Sequence, residues 1–387
     1  MNFSGSHSAS PPVADAPEVL LAILTDLSID HRCYKLAKSL KHQGLRPVIY
    51  CDQPLHALGS AWDEFEVRVL TKDSHLRRFM PVFVAYLFRL LPVLLTTRAR
   101  LWISLDAPPL FWLAFWGKLR GRTVVYDSHE LFVETPMVLN RRTRKFFWTA
   151  WERGGFALIS RAMTVSPAIL ARLSAVNPRV KFHLLPNMPF SSSPGSENPV
   201  MDKPSFPTQN SEPVRLVFQG GLRVATGLQE LFEALRLRPQ YHLEVFGGGP
   251  EEAALRAAAQ AAGIAGRVRF HGSVPFQELA APMAAAHLGI HLMQPVTGSF
   301  ALTWANKIFD YAHALTPMLL SDNPAHRALL EEYCVGVVAD SFSPEAVGEG
   351  LDRLAANYAF HLEECRRARE AWHWEAYAKG LPEFFKS

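Results

Sequence analysis

Short apolar runs alternate with helix-like patterns along most of the chain, and this alternation limits the fold more than any other feature. The run at 19–24 contains no charged residue, as expected for a parallel strand buried on both faces. Helical spacing of apolar residues follows at 31–43, and 46–51 is the next apolar run. The pattern predicts an α/β chain of parallel strands joined by helices.

Twelve runs are predicted to be strands, at 19–24, 46–51, 101–105, 123–127, 162–165, 181–185, 214–219, 242–246, 268–270, 288–292, 317–321 and 335–338. Residues 191–213 interrupt the series, because they are rich in Ser, Pro and Asn and lack periodicity. The chain is therefore predicted to form two doubly wound domains, at 18–190 and from 214 onward, with that linker between them. Ligands of such sheets lie beyond the carboxyl ends of the strands.

Composition excludes several classes of protein. The net charge of +4, from 40 basic and 36 acidic residues, is too small for nucleic acid as the main partner. The four cysteines form no CxxC pair, so neither a metal site nor a disulfide framework is predicted. Residues 1–17 lack the basic start of a signal peptide, and we expect a disordered tail on a cytoplasmic protein.

The first candidate site follows the strand at 123–127. His129 and Glu130 come at its carboxyl end, where an imidazole could hydrogen-bond a sugar hydroxyl or orient an acceptor. The alternative is that Asp127 or Ser128 caps the next helix. Spacing alone leaves both interpretations open.

A glycine-rich loop at 219–227 is the second candidate. Gly220 and Gly221 would let backbone amides approach a phosphate at the start of a helix, where negative charge is favoured. Arg223 could add a charge-assisted contact to a diphosphate. A tight turn without a ligand also requires glycine, so this loop alone is a weak signal.

A third loop, FGGGP at 246–250, contains Gly248. A dinucleotide fingerprint would need a further glycine at 252, where Glu252 stands, and no acidic strand end follows about 20 residues on. A turn of special backbone conformation is therefore favoured over a nicotinamide site.

The fourth candidate is a predicted helix that contains the segment NKIFDY at 306–311. Asn306 and Asp310 are four residues apart and share one face, while Ile308 and Phe309 point toward the core. Asp310 could accept hydrogen bonds from a ribose diol, and Lys307 could offset phosphate charge. The alternative is an ordinary amphipathic helix.

Two segments, 75–102 and 141–148, combine basic residues with apolar and aromatic ones. The apolar run in the first is broken by Arg89 and contains Pro81 and Pro92, which makes it a poor transmembrane span. Both segments fit a basic amphipathic surface that contacts anionic lipid. Core helices with a solvated basic side are the alternative.

Taken together, the motifs resemble those of the GT-B glycosyltransferases of family 4 over nearly the whole chain. They are IDHR at 29–32, YDSHE at 126–130, PN at 186–187, QGG at 219–221, FGGGP at 246–250, FHG at 270–272 and NKIFDY at 306–311. The resemblance rests on their order and spacing, since each motif alone is modest.

The resemblance implies two Rossmann-like domains that face each other across a cleft. The N-terminal domain would bind the acceptor, 214–365 would bind a nucleotide sugar, and a last helix at 366–387 would cross back to the first domain. It implies a hexosyltransferase-like reaction with retention at the anomeric carbon, without a metal or other cofactor. Many bacterial relatives assemble lipid-linked surface polysaccharides, so we expect a saccharide or lipid-linked acceptor and peripheral contact with the inner face of the cytoplasmic membrane.

By position in the motifs, His129 resembles the family's histidine near the reacting sugar, and Asp310 resembles the carboxylate that binds ribose. Asp30 and Arg32 fall in the loop that follows the first strand, on the acceptor side. These roles are what the resemblance implies.

Several positions depart from the family pattern. Thr226 stands where a basic residue is usual, and Leu302 where the first of two glutamates is usual. Leu315 and Thr316 replace a glycine before the strand at 317–321, and the segment 25–30 lacks the common glycine pair.

These departures favour an alternative, a catalytically impaired homologue that binds sugar nucleotide and partners another transferase. A sugar-nucleotide epimerase is a further alternative, but it would need acid–base carboxylates, and only Glu130 and Asp127 stand out. A dehydrogenase is disfavoured by the incomplete fingerprint.

Overall fold

The structure is a computed structural model that describes residues 18–24, 27, 30–52, 58–70, 82–139, 141–191, 203–207, 212–274 and 278–386. The predicted tail at 1–17, residues 75–81 of the first predicted membrane segment and most of the predicted linker lie outside the described residues. Two compact units are present, one ending at Tyr126 with Ala157–Ile159 added, the other made of Asp127–Phe156 and the chain from Ser160 onward. The predicted domain boundaries stay predictions.

The first sheet has seven strands: β1 Glu18–Ile23, β2 Arg46–Cys51, β3 Glu66–Val69, β4 Leu101–Leu105, β5 Thr123–Ser128, β6 Arg161–Thr164 and β7 Lys181–Leu184. Their order is β3-β2-β1-β4-β5-β6-β7. Between Val19 and Ile23 no residue of β1 is more than 1% exposed. Leu20 pairs in parallel with Val48 on one side and Trp102 on the other, which explains the unbroken apolar run.

Sequence patterning missed β3. Its four residues, EVRV, alternate charged and apolar side chains and are all at least partly exposed. The strand lies at the sheet edge, where one side needs no apolar partner, so the segment carries no continuous apolar run.

The described residues of this part of the chain form six helices: α1 His31–His42, α2 Val82–Thr96, α3 Ala107–Leu119, α4 Pro136–Leu139, α5 Arg142–Phe156 and α6 Pro167–Val176. The predicted helix at 31–43 is confirmed, and it buries Cys33, Leu36 and Leu40 on one face. Within the described ranges, no helix has both the length and the apolar character needed to cross a bilayer.

The second sheet has six strands: β8 Val214–Gln219, β9 Tyr241–Phe246, β10 Val268–Gly272, β11 Leu288–His291, β12 Met318–Ser321 and β13 Gly336–Ala339. Their order is β10-β9-β8-β11-β12-β13, and each of them was predicted. The helices are α7 Leu228–Arg236, α8 Glu252–Ala261, α9 Ala280–Ala285, α10 Gly298–Leu302, α11 Asn306–His313, α12 Pro324–Glu332, α13 Pro344–Ala356, α14 Tyr358–Ala371, α15 Trp374–Ala378 and α16 Leu381–Lys386.

Two hydrophobic clusters cover the second sheet. One joins Phe218 of β8 to Leu231 of α7, and the other joins Val217 to Ile308 and Phe309 of α11. Successive strand residues point to opposite faces, so both faces of β8 are buried. The prediction that Ile308 and Phe309 face the core is confirmed.

The C-terminal end consists of three helices where one was predicted over 366–387. Trp372 leaves the helical conformation, with φ −87° and ψ 72°, and the Trp374 N–H donates to the Pro189 carbonyl oxygen at 2.7 Å. The Ser191 N–H donates to a Glu375 carboxylate oxygen at 2.9 Å. The helix is interrupted because these bonds and the burial of both tryptophans hold the chain end against residues 189–191.

Candidate functional site

Two glycine loops lie side by side at the carboxyl ends of β8 and β9. The Gly220 N–H donates to the Phe246 oxygen at 2.9 Å, and the Leu222 N–H donates to the Gly248 oxygen at 3.0 Å. Gly220 and Gly247 have φ of 138° and 144°. A Cβ on Gly247 would lie 1.9 Å from the Gly220 oxygen. Only glycine fits at these two positions, and the loops form one backbone surface.

Lys307 of α11 places its ammonium over this surface. A Cβ on Gly220 would lie 2.2 Å from Nζ of Lys307, and Nζ is 5.3 Å from the centre of the Phe218 ring. The Gly220 N–H already donates to a carbonyl oxygen, so it is not the phosphate donor that we expected. The lack of a side chain at Gly220 instead leaves space for Lys307. Burial, together with the charge of Arg223, lowers the pKa of Lys307 to about 8, against the opposing effect of Asp310. At pH 7 roughly nine-tenths of this lysine is charged.

Arg223 is the second cation of the loop surface. Its side chain is exposed, and Nε would lie 3.2 Å from a Cβ on Gly221. Like charges disfavour one another, and a bound anion would remove that repulsion. The pair of cations over a surface of glycine backbone therefore suits a diphosphate.

Asp310 is held at the end of β8 by Gln219. The Gln219 side-chain N–H donates to Oδ2 of Asp310 at 3.0 Å, and the Gln219 backbone N–H donates to the Tyr311 hydroxyl at 3.1 Å. That hydroxyl in turn lies 3.2 Å from the Val217 and Ile290 oxygens, and burial raises the pKa of Tyr311. The carboxylate thus has a fixed orientation beside the glycine loops.

The remaining predicted donor residues surround these groups. Gly248 is partly buried, and a Cβ there would lie 2.8 Å from Oγ of Ser273. Asn306 is the exposed first residue of α11. Thr226 is buried beside Gly227, whose φ is 68°. The Thr226 side chain adds no charge, so the two cations above supply the positive charge of this loop.

His129 and Glu130 directly follow β5, in the second unit. Nε2 of His129 lies 3.3 Å from Oδ2 of Asp127, which is fully buried. The Ser128 hydroxyl donates to the backbone carbonyl oxygen of Glu130 at 2.9 Å. The next helical turn begins after Leu131, and no side chain caps it. The alternative that Asp127 or Ser128 caps a helix is therefore wrong, because strand β5 continues through both residues.

Glu130 also contacts α10. The Ser299 hydroxyl donates to Oε2 of Glu130 at 3.3 Å. Three residues later, the Leu302 oxygen accepts a hydrogen bond from the Ser166 hydroxyl at 2.7 Å. The structure thus places the segment after β5 against α10, the helix whose last residue is the departure Leu302.

Asp30 and Arg32 lie in the first unit, at the start of α1. Asp30 is the N-cap, and its carboxylate accepts the Cys33 N–H at 2.7 Å. Arg32 is 3% exposed. Burial and the charge of Lys35 lower the pKa of His31 to about 4, so this imidazole is neutral at pH 7. Asp30 stabilises the helix, and the acceptor roles of Asp30 and Arg32 stay predictions.

Sequence reasoning missed Gln219, Tyr311 and Ser299. Gln219 ends an apolar strand, and that position marks it as a candidate because ligands lie beyond the carboxyl ends of strands. The Tyr311 role depends on backbone groups from two separate strands, and no local pattern reveals it.

Two family models match this chain. The model described as "Glycosyl transferases group 1" matches residues 202–372, and "Glycosyl transferase 4-like domain" matches residues 29–188. Together the two matches cover most of the sequence. No curated protein matches it by sequence.

Solved structures resemble the chain at low identity. Sucrose-phosphate synthase from Thermosynechococcus elongatus has a TM-score of 0.74 and 15% identity, covering 96% of this chain and 98% of its own. Anabaena Alr3699/HepE in complex with UDP and glucose has a TM-score of 0.72 and 14% identity, covering 96% and 99%. A putative UDP-N-acetylglucosamine 2-epimerase from Listeria monocytogenes has a TM-score of 0.63 and 12% identity, covering 96% of each.

These structural likenesses establish the fold, two parallel sheets with helices, while the family matches distinguish a transferase from the epimerase that shares it. The order of the motifs, the two sheets and both family matches agree. The chain therefore belongs to the GT-B glycosyltransferases of the family 4 type.

Proposed function

We propose that this protein is a retaining enzyme that moves a sugar from a nucleoside diphosphate sugar to a lipid-linked saccharide, in the assembly of a surface polysaccharide or glycolipid. The observation that carries the donor half is the position of Lys307 over Gly220, with Arg223 nearby. Two cations over a backbone surface fit a diphosphate, the leaving group of such donors.

In the proposed reaction, the bond between the anomeric carbon and a diphosphate oxygen breaks. The acceptor hydroxyl gives its proton to the departing diphosphate oxygen and forms the new bond on the same face of the sugar. Negative charge grows on the diphosphate as its bond breaks, and Lys307 and Arg223 stabilise that charge from fixed positions. These side chains meet the charge requirement without a metal ion or other cofactor.

His129 and Glu130 are the proposed catalytic residues. His129 is supported by the buried Asp127, and its side chain is 18% exposed, which leaves part of the ring for a sugar hydroxyl. Glu130 lies beside Ser299 and would help to orient the acceptor. The donor ribose would be bound by Asp310, with Gly221, Gly248 and Asn306 lining the rest of the donor site.

UDP is the first nucleotide to test. The Anabaena neighbour was solved with UDP and glucose, and the Listeria neighbour is named for a UDP sugar. We therefore propose a UDP-hexose as the donor.

A thermal-shift screen with UDP, GDP, ADP and CMP tests the donor half. A ligand that binds only the folded state adds about 2.7 kcal/mol to the free energy of unfolding at about 100 times its dissociation constant. UDP should raise the melting temperature, and Arg223→Gln should reduce the shift. Arg256→Gln is the matched control, because Arg256 is an exposed arginine paired with Glu252 on α8. No shift with any nucleotide would refute the donor site.

Transfer to a membrane extract with radiolabelled UDP-sugars tests the catalytic half. His129→Ala should lower kcat by about 100-fold or more while UDP still binds. Unchanged transfer in this variant would refute the role of His129.

The lipid-linked acceptor and the location at the cytoplasmic membrane face rest on surface chemistry. On α5, Phe146 and Phe147 are 78% and 45% exposed and follow the basic Arg144 and Lys145. Exposed aromatic rings beside cations suit the headgroup region of an anionic bilayer. This supports the predicted contact at 141–148, and the predicted contact at 75–102 is of the same kind.

An impaired homologue that partners another transferase is the second candidate. It is favoured by Leu302, the last residue of α10, which stands where the resemblance implies a glutamate and brings no carboxylate. UDP binding without turnover by the isolated protein, and turnover once a partner transferase is added, would favour it. Conversion of a UDP-sugar to its epimer without an acceptor would instead identify an epimerase.

A further inference from the structure

Three buried histidines lie at strand β11: one directly precedes the strand, one ends it and one packs beside it. His287, His291 and His326 are 1%, 3% and 1% exposed. Withdrawing an imidazole from water costs free energy unless its ring nitrogens find hydrogen-bond partners within the protein. The partners of each ring therefore show whether the histidine serves the fold.

His287 and His326 have their partners within the fold. Nδ1 of His287 accepts the Arg215 backbone N–H at 2.9 Å. Nδ1 of His326 donates to the Ser321 carbonyl oxygen at 2.8 Å. The Asn323 side-chain oxygen accepts the His326 backbone N–H at 2.8 Å, so the Asn323 amide nitrogen faces Nε2 of His326, at 3.2 Å, and donates to it. These two histidines stabilise the strands and loops around them.

His291 differs from both. Within the part of the chain that the structure describes, neither ring nitrogen of His291 takes part in a hydrogen bond. Its ring contacts the His326 ring, with 5.1 Å between the ring centres and 60° between the planes. Both nitrogens of His326 are already engaged, so this contact does not pair His291. The fold gains no hydrogen bond from His291, and the burial of this polar ring needs another explanation.

The register of the sheet places His291 at the donor site. Phe218 of β8 pairs with Ile290 of β11. The residues that follow them, Gln219 and His291, end their strands at the carboxyl edge and point to the opposite face. The Gln219 side chain donates to Asp310 of α11, so α11 covers that face. His291 therefore lies under α11, at the edge where ligands of such sheets bind.

Lys307 lies at the same edge. The Tyr311 ring covers Gly289, where a Cβ would lie 2.9 Å from it, and Gly289 precedes His291 by two residues on the same face. Lys307 is one turn before Tyr311, toward the start of α11 and the carboxyl edge. Burial, the charge of Lys307 and the nearby His326 lower the pKa of His291 well below its usual value. The imidazole is therefore neutral at pH 7, with one N–H to donate.

We propose that His291 is a further donor-binding residue, whose ring N–H donates a hydrogen bond to a diphosphate oxygen of the nucleotide sugar. Lys307 and Arg223 supply positive charge at this site, whereas His291 supplies an uncharged hydrogen-bond donor from the sheet edge. A bound diphosphate would give the imidazole a strong acceptor. The inference rests on the proposed function, because it assigns His291 to the same donor site.

Substitution by leucine tests this role, because leucine is apolar, is similar in size and lacks both ring nitrogens. His291→Leu should weaken the binding of UDP and of inorganic pyrophosphate by about tenfold, measured by calorimetry at pH 7. It should also raise the melting temperature, since an apolar side chain replaces a polar one that the fold does not pair. His291→Gln keeps a side-chain N–H and should recover most of the affinity.

His287→Leu is the matched control, because His287 is equally buried but lies at the start of β11, away from the carboxyl edge. This variant leaves the Arg215 N–H without its acceptor and should lower the melting temperature. UDP and pyrophosphate should bind to it as to the wild type. The two leucine variants thus have opposite expected effects on stability, and only His291→Leu weakens binding.

A double-mutant cycle separates direct contact with the diphosphate from an effect through Lys307. If His291 binds the diphosphate itself, His291→Leu should weaken UDP binding by a similar factor in the wild type and in Lys307→Met. If His291 acted only by placing Lys307, His291→Leu would change nothing in the Lys307→Met background. That result would overturn the proposal.

Two further results would also overturn it: unchanged affinity in His291→Leu, or an equal loss of affinity in His287→Leu. Failure of the proposed function would look different. Pyrophosphate binding that depends on His291, without binding of UDP, GDP, ADP or CMP, would retain the role of His291 and refute the nucleotide-sugar donor. If neither pyrophosphate nor any of the nucleotides bound, both proposals would be refuted.

Discussion

The carboxyl edges of the two sheets are constructed differently. In the second sheet, backbone of the two glycine loops forms the surface, and Lys307 and Arg223 are the charges over it. In the first sheet, acidic side chains stand at helix starts and strand ends: Asp30 at the start of α1, Asp106 between β4 and α3, and Asp127 near the end of β5.

The acidic residues at two of these ends stabilise local structure. Asp30 accepts the Cys33 N–H, and Asp106, with φ of 69°, accepts the Ala107 N–H at 3.0 Å. Each thereby caps a helix N-terminus. A side chain can be replaced without moving the backbone, whereas the glycine loops have no such freedom. The difference indicates that the glycine loops, the proposed diphosphate site, require one fixed shape, while the edge of the first sheet, the proposed acceptor side, can vary on the same fold.

Gly247→Ala should have the largest effect on this comparison. The new Cβ would lie 1.9 Å from the Gly220 oxygen, a backbone atom that cannot rotate away, and φ is 144°. We expect a loss of about 3 kcal/mol or more in the free energy of unfolding, measured by urea denaturation. UDP binding, measured by calorimetry, should fall below detection.

Gly266→Ala is the matched control for that substitution. No heavy atom lies within 4 Å of a Cβ at Gly266. The free energy of unfolding should change by less than about 0.5 kcal/mol. Equal effects of the two substitutions would show that the loops adapt and that their shape is not fixed.

Lys307→Met should have the next largest effect. A charge-assisted hydrogen bond contributes about 1.5–3 kcal/mol, so UDP affinity at pH 7 should fall by about 10- to 100-fold. The pKa of Lys307 is about 8 in the free protein, and UDP would bind the protonated form. Wild-type affinity should therefore fall as pH rises above 8, by about tenfold per pH unit, and this decline should be absent in Lys307→Met.

Lys379→Met controls for the loss of a lysine, because Lys379 is exposed after α15. It should retain both the affinity and the decline above pH 8. A decline that persists in Lys307→Met would assign the titration to another group.

On the first sheet, Asp30→Ala should reduce stability without changing nucleotide affinity. Loss of the N-cap costs about 1 kcal/mol, which lowers the melting temperature by a few degrees. Asp30→Asn keeps a capping oxygen and should restore most of the stability. If Asp30→Ala also weakened UDP binding, the two edges would not be independent.

Of the thirteen strands that the described residues form, twelve were predicted from sequence, because most of them are largely buried and therefore mainly apolar. The edge strand β3 escaped for the opposite reason. Leu315 also illustrates a limit: it occupies a position where the family has glycine, and it adopts a positive φ of 54°. The sequence showed a departure from glycine, but not that the backbone there adopts the left-handed conformation that favours glycine.

The candidate site was predicted less completely. Motifs identified Gly220, Lys307 and Asp310, but not that Lys307 lies over Gly220 or that Gln219 orients Asp310. Both contacts depend on α11 packing beside β8, which comes from tertiary structure and not from local pattern.

Ala225→Gly should have the smallest effect, and it sharpens the comparison. Ala225 belongs to the first glycine loop and has φ of 71°, where a Cβ costs about 1–2 kcal/mol. Glycine removes that strain but costs about 0.5–1 kcal/mol through the unfolded chain, so a net stabilisation of about 0.5 kcal/mol is expected. Ala254→Gly, on the exposed face of α8, should instead destabilise by about 1 kcal/mol.

The Ala225 oxygen accepts the Gln294 N–H at 3.0 Å, which fixes the end of the loop. If the strain maintains the loop for the diphosphate, Ala225→Gly will melt at a higher temperature yet bind UDP about twofold more weakly. If Ala225→Gly bound UDP more tightly and was also more stable, the strain at Ala225 would not maintain the loop for the diphosphate.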